Sequence, residues 1–280
     1  MAKGLALTVG LNSVDPKHYE GWSGKLLACE ADARDMADIA RAQKFKVETL
    51  LTKRATRSAV LARIARAART LRRGDIFLLT YSGHGGQVPD RNDDEPDAQD
   101  ETWCLYDGEL IDDELYSALG KLPAGVRGLV FSDSCHSGTV TKAMFYAARA
   151  GAPAAAAAGG AAQHVRFRAM PADVALRTYR AHRKMYDALQ KGVRPNSENA
   201  VRASVILISG CQDNQLSADG DFNGLFTGNL LRVWKEGQFQ GAYHKFHRAI
   251  VRQMPPDQTP NFFAVGAPNR RFEGQRPFTV

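Results

Sequence analysis

At 280 residues, the chain can bury a sizeable core and need hold only one domain. Its 44% apolar share is that of an ordinary soluble protein. No apolar run reaches the length of a membrane span, and Lys3–Leu11 is too short for a cleavable signal sequence and runs straight into polar residues. The formal charge of +7 is uneven, with twelve acids and one base from Asp90 to Glu114 but nine bases and three acids from Gln163 to Arg202. Nucleic acid gains little support from the basic excess, because no nucleic-acid motif accompanies it. A solvated basic face, or a flexible segment cut by a basic-specific protease, suits that region better. Cys29, Cys104, Cys135 and Cys211 show no close pairing, which reads as reduced thiols in the cytoplasm.

Lys3–Leu11 (KGLALTVGL) reads as a first strand, and Asn12–Lys25, rich in Gly, Ser, Asp and Pro, as a loop. Ala28–Gln43 carries Met36, Ile39 and Ala40 at helical spacing. Phe45–Leu51 alternates as a second strand does. Thr56–Leu71 places Val60, Ile64, Ala67, Ala68 and Leu71 on one side and arginines elsewhere, which predicts an amphipathic helix. Ile76–Thr80 (IFLLT) is a short apolar run closed by Tyr81–Gly86. Strand, helix, strand, helix, strand predicts a parallel α/β sheet.

Asp90–Glu101 is polar enough to be a loop, Trp103–Tyr106 a short extended piece, and Asp112–Leu119 a helix with acids at its positive end. Leu129–Phe131 is another apolar run, closed by Ser132-Asp133-Ser134. Ala147–Ala162 is nearly all Ala and Gly, which leaves little to bury and predicts a flexible or weakly helical connector. Asp173–Lys191 has helical spacing. Ser204–Ser209 reads as a buried strand, Gly224–Trp234 and Tyr243–Met254 as helices, and Thr259–Gly266 as a last strand.

Two residues with chemistry stand just past strand ends. His84 lies in YSGHGG and Cys135 in DSCHSG. Neighbouring parallel strands bring such loops together at the sheet edge where open α/β sheets bind ligands. A thiolate is the nucleophile of a cysteine enzyme, and a nearby imidazole raises its population or delivers the proton to a leaving amine. Cys135 is therefore the candidate nucleophile and His84 the acid/base. His136 adjoins Cys135 but is given no role. Sequences that would signal nucleotide hydrolysis or zinc chemistry are absent: there is no phosphate-binding Gly loop with Lys-Ser/Thr, no HExxH and no CxxC.

With these motifs, CEADARDM (Cys29–Met36), DDE (Asp112–Glu114), SGCQDNQLSAD (Ser209–Asp219) and LFTGNLL (Leu225–Leu231), the chain resembles the caspase-fold cysteine peptidases of the metacaspase (orthocaspase) branch. The resemblance implies an α/β caspase-hemoglobinase fold with a mostly parallel sheet and helices on both faces. It implies a large-subunit-like region at 1–141, a variable connector at 142–202 that the enzyme itself often cuts, and a small-subunit-like region at 203–280. The Gln163–Arg202 stretch has no clear family counterpart and is a candidate regulatory cap or ligand-binding arm.

The resemblance implies oxyanion donors at the Gly85 and Cys135 backbone N–H groups. It implies a substrate pocket lined by Asp32, Ser82 and Asp133, whose carboxylates suit Arg and, less well, Lys. Many metacaspases hold calcium with four Asp. Asp100, Asp112 and Asp113 match three of these positions, but the fourth is Lys142, which removes an oxygen and repels the metal. The expectation is thus no cofactor and no calcium requirement. The expected partners are Arg- or Lys-containing peptides, on a monomer as the family usually is. Two rivals are a protease awaiting a bound signal, for instance in a bacterial stress or defence pathway, and a catalytically silent scaffold; the presence of both His84 and Cys135 argues against the scaffold.

Overall fold

In a computed structural model, residues 2–91, 99–134, 167–192, 201–211, 218–220 and 222–280 are described. They build two sheets. The large one has the order β2-β1-β3-β7-β8-β9, with β1 Gly4–Gly10, β2 Lys46–Leu51, β3 Ile76–Ser82, β7 Arg127–Asp133, β8 Ser204–Ser209 and β9 Asn261–Gly266. All neighbours pair parallel except β9, which runs antiparallel to β8. The small sheet is an antiparallel meander of β4 Gly85–Pro89, β5 Gln99–Leu105 and β6 Gly108–Ile111.

The central strands β1, β3, β7 and β8 are apolar and largely buried on both faces, as interior parallel strands must be. Successive side chains point to opposite faces, and the core divides accordingly. Phe77 and Leu79 of β3 and Val130 of β7 join Val60, Ile64 and Ala67 of α2 (Arg57–Thr70) and Leu115 and Leu119 of α3 (Asp112–Gly120). On the other face, Ile76, Leu78, Leu129 and Phe131 meet α1 (Cys29–Ala42) through Met36 and Ile39. That face is completed by α5 (Leu225–Trp234) and α6 (Tyr243–Val251), with Phe226, Leu230, Phe246 and Ile250. A short α7, Arg270–Glu273, adds Phe272. Each of the larger of these side chains contributes about 1.5–3 kcal/mol by leaving water.

Parity also decides where the polar residues fall. Ser82 shares a face with Ile76 and Leu78, and Asp133 with Leu129 and Phe131. Ser82 and Asp133 are register partners at the ends of β3 and β7. The apolar strands therefore deliver a hydroxyl and a carboxylate, side by side, to the carboxyl edge of the sheet, on the face covered by α1 and α5.

The structure differs from the sequence expectations in three places. Gly85–Pro89 is a strand, although its glycines read as a turn; it pairs with β5 from Gly85↔Trp103 to Pro89↔Gln99. Residues 99–101, expected in a loop, belong to β5. The basic stretch before residue 202 is not merely a solvated face: α4 (Ala172–Gly192) packs on β4, and Arg168 is fully buried. The Ala/Gly tract 147–162, His136 and Lys142 lie outside the described residues.

Candidate active site

His84 follows β3 by two residues and precedes β4. It is 5% exposed. Its backbone carbonyl accepts from Cys104 N–H (2.9 Å) and from the Tyr81 hydroxyl (2.7 Å), which fixes the backbone between the two sheets. The ring packs on Trp22 at 4.7 Å between centroids, and Nε2 lies 3.0 Å from the Gly24 carbonyl. Gly24 has φ +49°, and a Cβ there would come within 2.9 Å of the imidazole Cδ2 and 2.7 Å of the Trp22 ring. Burial lowers the His84 pKa to about 4, while the Gly24 carbonyl and the backbone of Ala169 act the other way. The imidazole is neutral at pH 7 and Nδ1 has no hydrogen-bond partner among the described residues.

Cys135 lies outside the described residues. Ser134, its neighbour in sequence, is buried at the end of β7, and its hydroxyl is 3.0 Å from that of Ser132. Two of the other thiols are poor nucleophiles: burial pushes Cys29 up to about 12 and raises Cys104 well above its ordinary value.

The three pocket residues expected from the sequence come together. Asp32 enters from the first turn of α1, Ser82 from β3 and Asp133 from β7, and all three are at most 3% exposed. Ser82 Oγ donates to Asp32 Oδ2 (2.8 Å). Asp32 Oδ1 accepts from the Gly224 N–H and the Asn223 side-chain amide, each at 3.0 Å. Asp133 Oδ2 accepts from the Thr227 hydroxyl (2.8 Å) and its N–H (3.2 Å) at the start of α5.

A guanidinium of the protein itself fills this pocket. Arg168 Nη2 contacts Asp32 (2.7 Å) and Asp219 (3.0 Å); Nη1 contacts Asp133 (2.9 Å) and Ser82 Oγ (2.8 Å). Gly224 is part of the wall, since a Cβ there would sit 2.3 Å from Nη2. Burial opposes the charge on Arg168, but Asp133, Asp32 and Asp219 outweigh it and hold the group above its ordinary value. Burial pushes Asp32 above the usual carboxylate range; Arg168 opposes this and Asp133 adds to it. One cation thus faces three acids. The Arg168 carbonyl accepts from Gly85 N–H at 2.9 Å, so the donor expected for an oxyanion is already engaged with the carbonyl that follows the seated arginine.

Sequence reasoning missed Asp219 and the occupant. Asp219 closes the SGCQDNQLSAD block, and being the last acid there was its only signal. Arg168 was one of many connector bases, with nothing local to distinguish it.

The second acidic group lies at the far end of the small sheet. Burial pushes Asp112 up to about 8, with Glu101, Asp100 and Asp113 adding to the rise. Among the described residues, no three His, Cys, Asp or Glu are arranged to hold a metal ion, and the fourth position of the family's calcium set is Lys142. No helix among the described residues is long and apolar enough to cross a membrane.

Comparison with known proteins fits this geometry. The caspase domain family matches residues 3–270. Metacaspase-1 of Mycosarcoma maydis is 28% identical over 249 residues, covering 81% of this chain and 60% of that protein. Metacaspase-1 of Coccidioides immitis is 30% identical over 251 residues, covering 81% and 53%. The chain therefore spans little more than half the length of these curated relatives. A crystal structure of a Geobacter sulfurreducens protein superposes with a TM-score of 0.89 at 62% identity, over 99% of both chains. Caspase-1 of Spodoptera frugiperda shares the fold at 11% identity, TM-score 0.56, over 95% of this chain and 86% of that one. From its sheet order to the acid-lined edge beside His84, and across nearly its whole length, this chain belongs to the caspase domain family and is metacaspase-like within it.

Proposed function

We propose that this protein is a cysteine endopeptidase that hydrolyses peptide bonds after arginine, with lysine second, in the cytoplasm. The observation that carries the reading is the guanidinium seated among Asp32, Asp133 and Asp219, with the carbonyl of the same residue on Gly85 N–H. A planar fork of five donors matches several carboxylates at once, which an ammonium does less well. An acidic side chain in that pocket would add a fourth buried negative charge.

In this reading, Cys135 attacks the carbonyl that follows the basic residue. Neutral His84 takes the thiol proton and passes it to the departing amine. Gly85 N–H, with Cys135 N–H, stabilises the oxyanion, and water resolves the thioester. No step uses a metal.

The test is a fluorogenic peptide series with Arg, Lys or Asp before the scissile bond, on wild type, Cys135→Ala and His84→Ala. The expected order is Arg above Lys, no cleavage after Asp, and a loss of at least about a thousandfold in either variant. Preference for Asp removes the specificity assignment, and undiminished turnover by Cys135→Ala removes the nucleophile.

A further inference from the structure

The two residues flanking the seated arginine share one contact. Residues 167–170 cross the site between two backbone bridges, Phe167 antiparallel to Ala218 and Ala169 parallel to Gly85. Arg168 enters the acid-lined pocket, while Phe167 and Ala169 both pack on Cys211. That is the alternation of a strand, with one side chain to one side and its neighbours to the other. Main-chain pairing, with separate seats for alternate side chains, is how sheet edges take peptides.

The seat at Cys211 is built and braced. Cys211 follows β8 and is 3% exposed. Its thiol donates to the Ser134 carbonyl at 3.2 Å, and the Ser209 hydroxyl donates to its own carbonyl at 2.9 Å. Gly210 N–H donates to the Ser132 carbonyl at 2.8 Å, which ties this turn to the end of β7. The buried Gln258 side chain then links both sides of the cleft. It donates to the Gly210 carbonyl at 3.0 Å and accepts from Ala218 N–H at 3.1 Å. One amide therefore fixes the spacing between the seat and the backbone that Phe167 bridges. With its hydrogen committed to Ser134, the Cys211 sulfur offers Phe167 the surface of a small apolar group. A carboxylate in place of the Phe167 ring would lose that contact and add negative charge beside Asp133 and Asp219.

We infer that Cys211 is a specificity-determining residue of this peptidase: it seats the side chain that precedes the basic residue of a substrate and selects a large apolar one there. The inference rests on the peptidase reading above and has the substrate chain take the course of residues 167–170, with its own residue in the place of Phe167. Cys211 acts by contact, and no bond to it forms or breaks. Its effect is a ratio between substrates that differ only at that position.

The experiment measures kcat/KM of the full chain for four coumarin amides, acetyl-Phe-Arg, acetyl-Leu-Arg, acetyl-Ala-Arg and acetyl-Asp-Arg. Wild type is expected to turn over the Phe and Leu peptides at least about tenfold faster than the Ala peptide, as a filled apolar contact gives, and the Asp peptide most slowly. Cys211→Leu fills the seat and should bring the Phe-to-Ala ratio to about one. Cys211→Ser keeps the size but presents a polar hydroxyl, and should lower the ratio about threefold or more. A ratio taken on one preparation does not depend on how much of it is folded. A merely structural role for Cys211 would slow all four peptides alike and leave the ratio unchanged. Equal turnover of the Phe and Ala peptides by wild type, or an unchanged ratio in an active variant, overturns the inference and leaves cleavage after arginine standing. If neither variant is active, the wild-type order alone decides. Turnover of none of the four by wild type removes the peptidase reading, and this inference with it.

Discussion

The protein gathers two groups of carboxylates and handles them differently. At the edge of the large sheet, Asp32, Asp133 and Asp219 surround a guanidinium and also accept from backbone and hydroxyl donors. At the end of the small sheet, burial and three neighbouring acids push the Asp112 carboxyl up to about 8, so that it holds its proton at neutral pH. Taking an ion out of water costs several kcal/mol unless a partner and hydrogen bonds compensate. The first group meets that cost with a cation; at Asp112 a proton does the same. The lesson is that acidity in sequence does not specify a binding site: the donors aimed at the oxygens do.

Three experiments break or sharpen this contrast. The largest effect is expected from removing the guanidinium. In a Cys135→Ala background, Arg168→Met should destabilise the protein in urea by about 3–5 kcal/mol at pH 7.5, as breaking a buried ion pair does. The deficit should shrink toward pH 4 as the stranded carboxylates take up protons. A constant deficit from pH 7.5 to 4 would mean that lost packing, and not charge, is responsible.

Second in size is the effect of single pocket acids on catalysis. Asp32 binds Nη2 and is held by three further donors, so Asp32→Asn should lower kcat/KM for an arginyl peptide by about a hundredfold, near 2.7 kcal/mol. Asp219 makes one 3.0 Å contact with the guanidinium, and Asp219→Asn should cost about tenfold. Equal losses would erase the ranking of the two carboxylates, and a larger one at Asp219 would reverse it.

The smallest effect, opposite in sign, is expected at Asp112. Its folded pKa is above the unfolded value, so its penalty is absent below pH 3.8, grows as pH rises, and levels off above about 8. Asp112→Asn, which is neutral throughout, should therefore match wild type near pH 4 and gain stability toward pH 8 in denaturation curves. Activity should be the same in chelator as in millimolar calcium. A stability loss in Asp112→Asn at pH 8, or a calcium-dependent rate, would show that the carboxylate works ionised.

The large sheet was legible in the sequence because its strands are short apolar runs closed by turn residues, and because helix faces such as Val60-Ile64-Ala67 repeat at the right spacing. His84 was visible for the same reason, at the end of such a run. The strand at Gly85–Pro89 was not, because glycine is a poor strand former; at Gly86 the space of a Cβ is taken by the Met170, Glu109 and Thr102 side chains. Arg168 was invisible for a different reason. Its meaning comes from Asp32 and Asp133, which are far from it in the chain and close only once β3, β7 and α1 have assembled. No local pattern encodes that convergence. Asp32, Ser82 and Asp133 were found through family resemblance; their own neighbours in sequence do not mark them as a group.

One small residue governs how the imidazole of His84, the proposed acid/base, sits. Position 24 offers the imidazole a carbonyl and, having only hydrogen where others carry carbon, a gap for the ring's edge. Any larger residue there would have to displace the aromatic wall of Trp22 or swing the heterocycle aside. The loop before α1, which looks like a mere connection, therefore sets the aim of the proton carrier, and a single methyl group added to it would mis-set the distance over which the proton must travel.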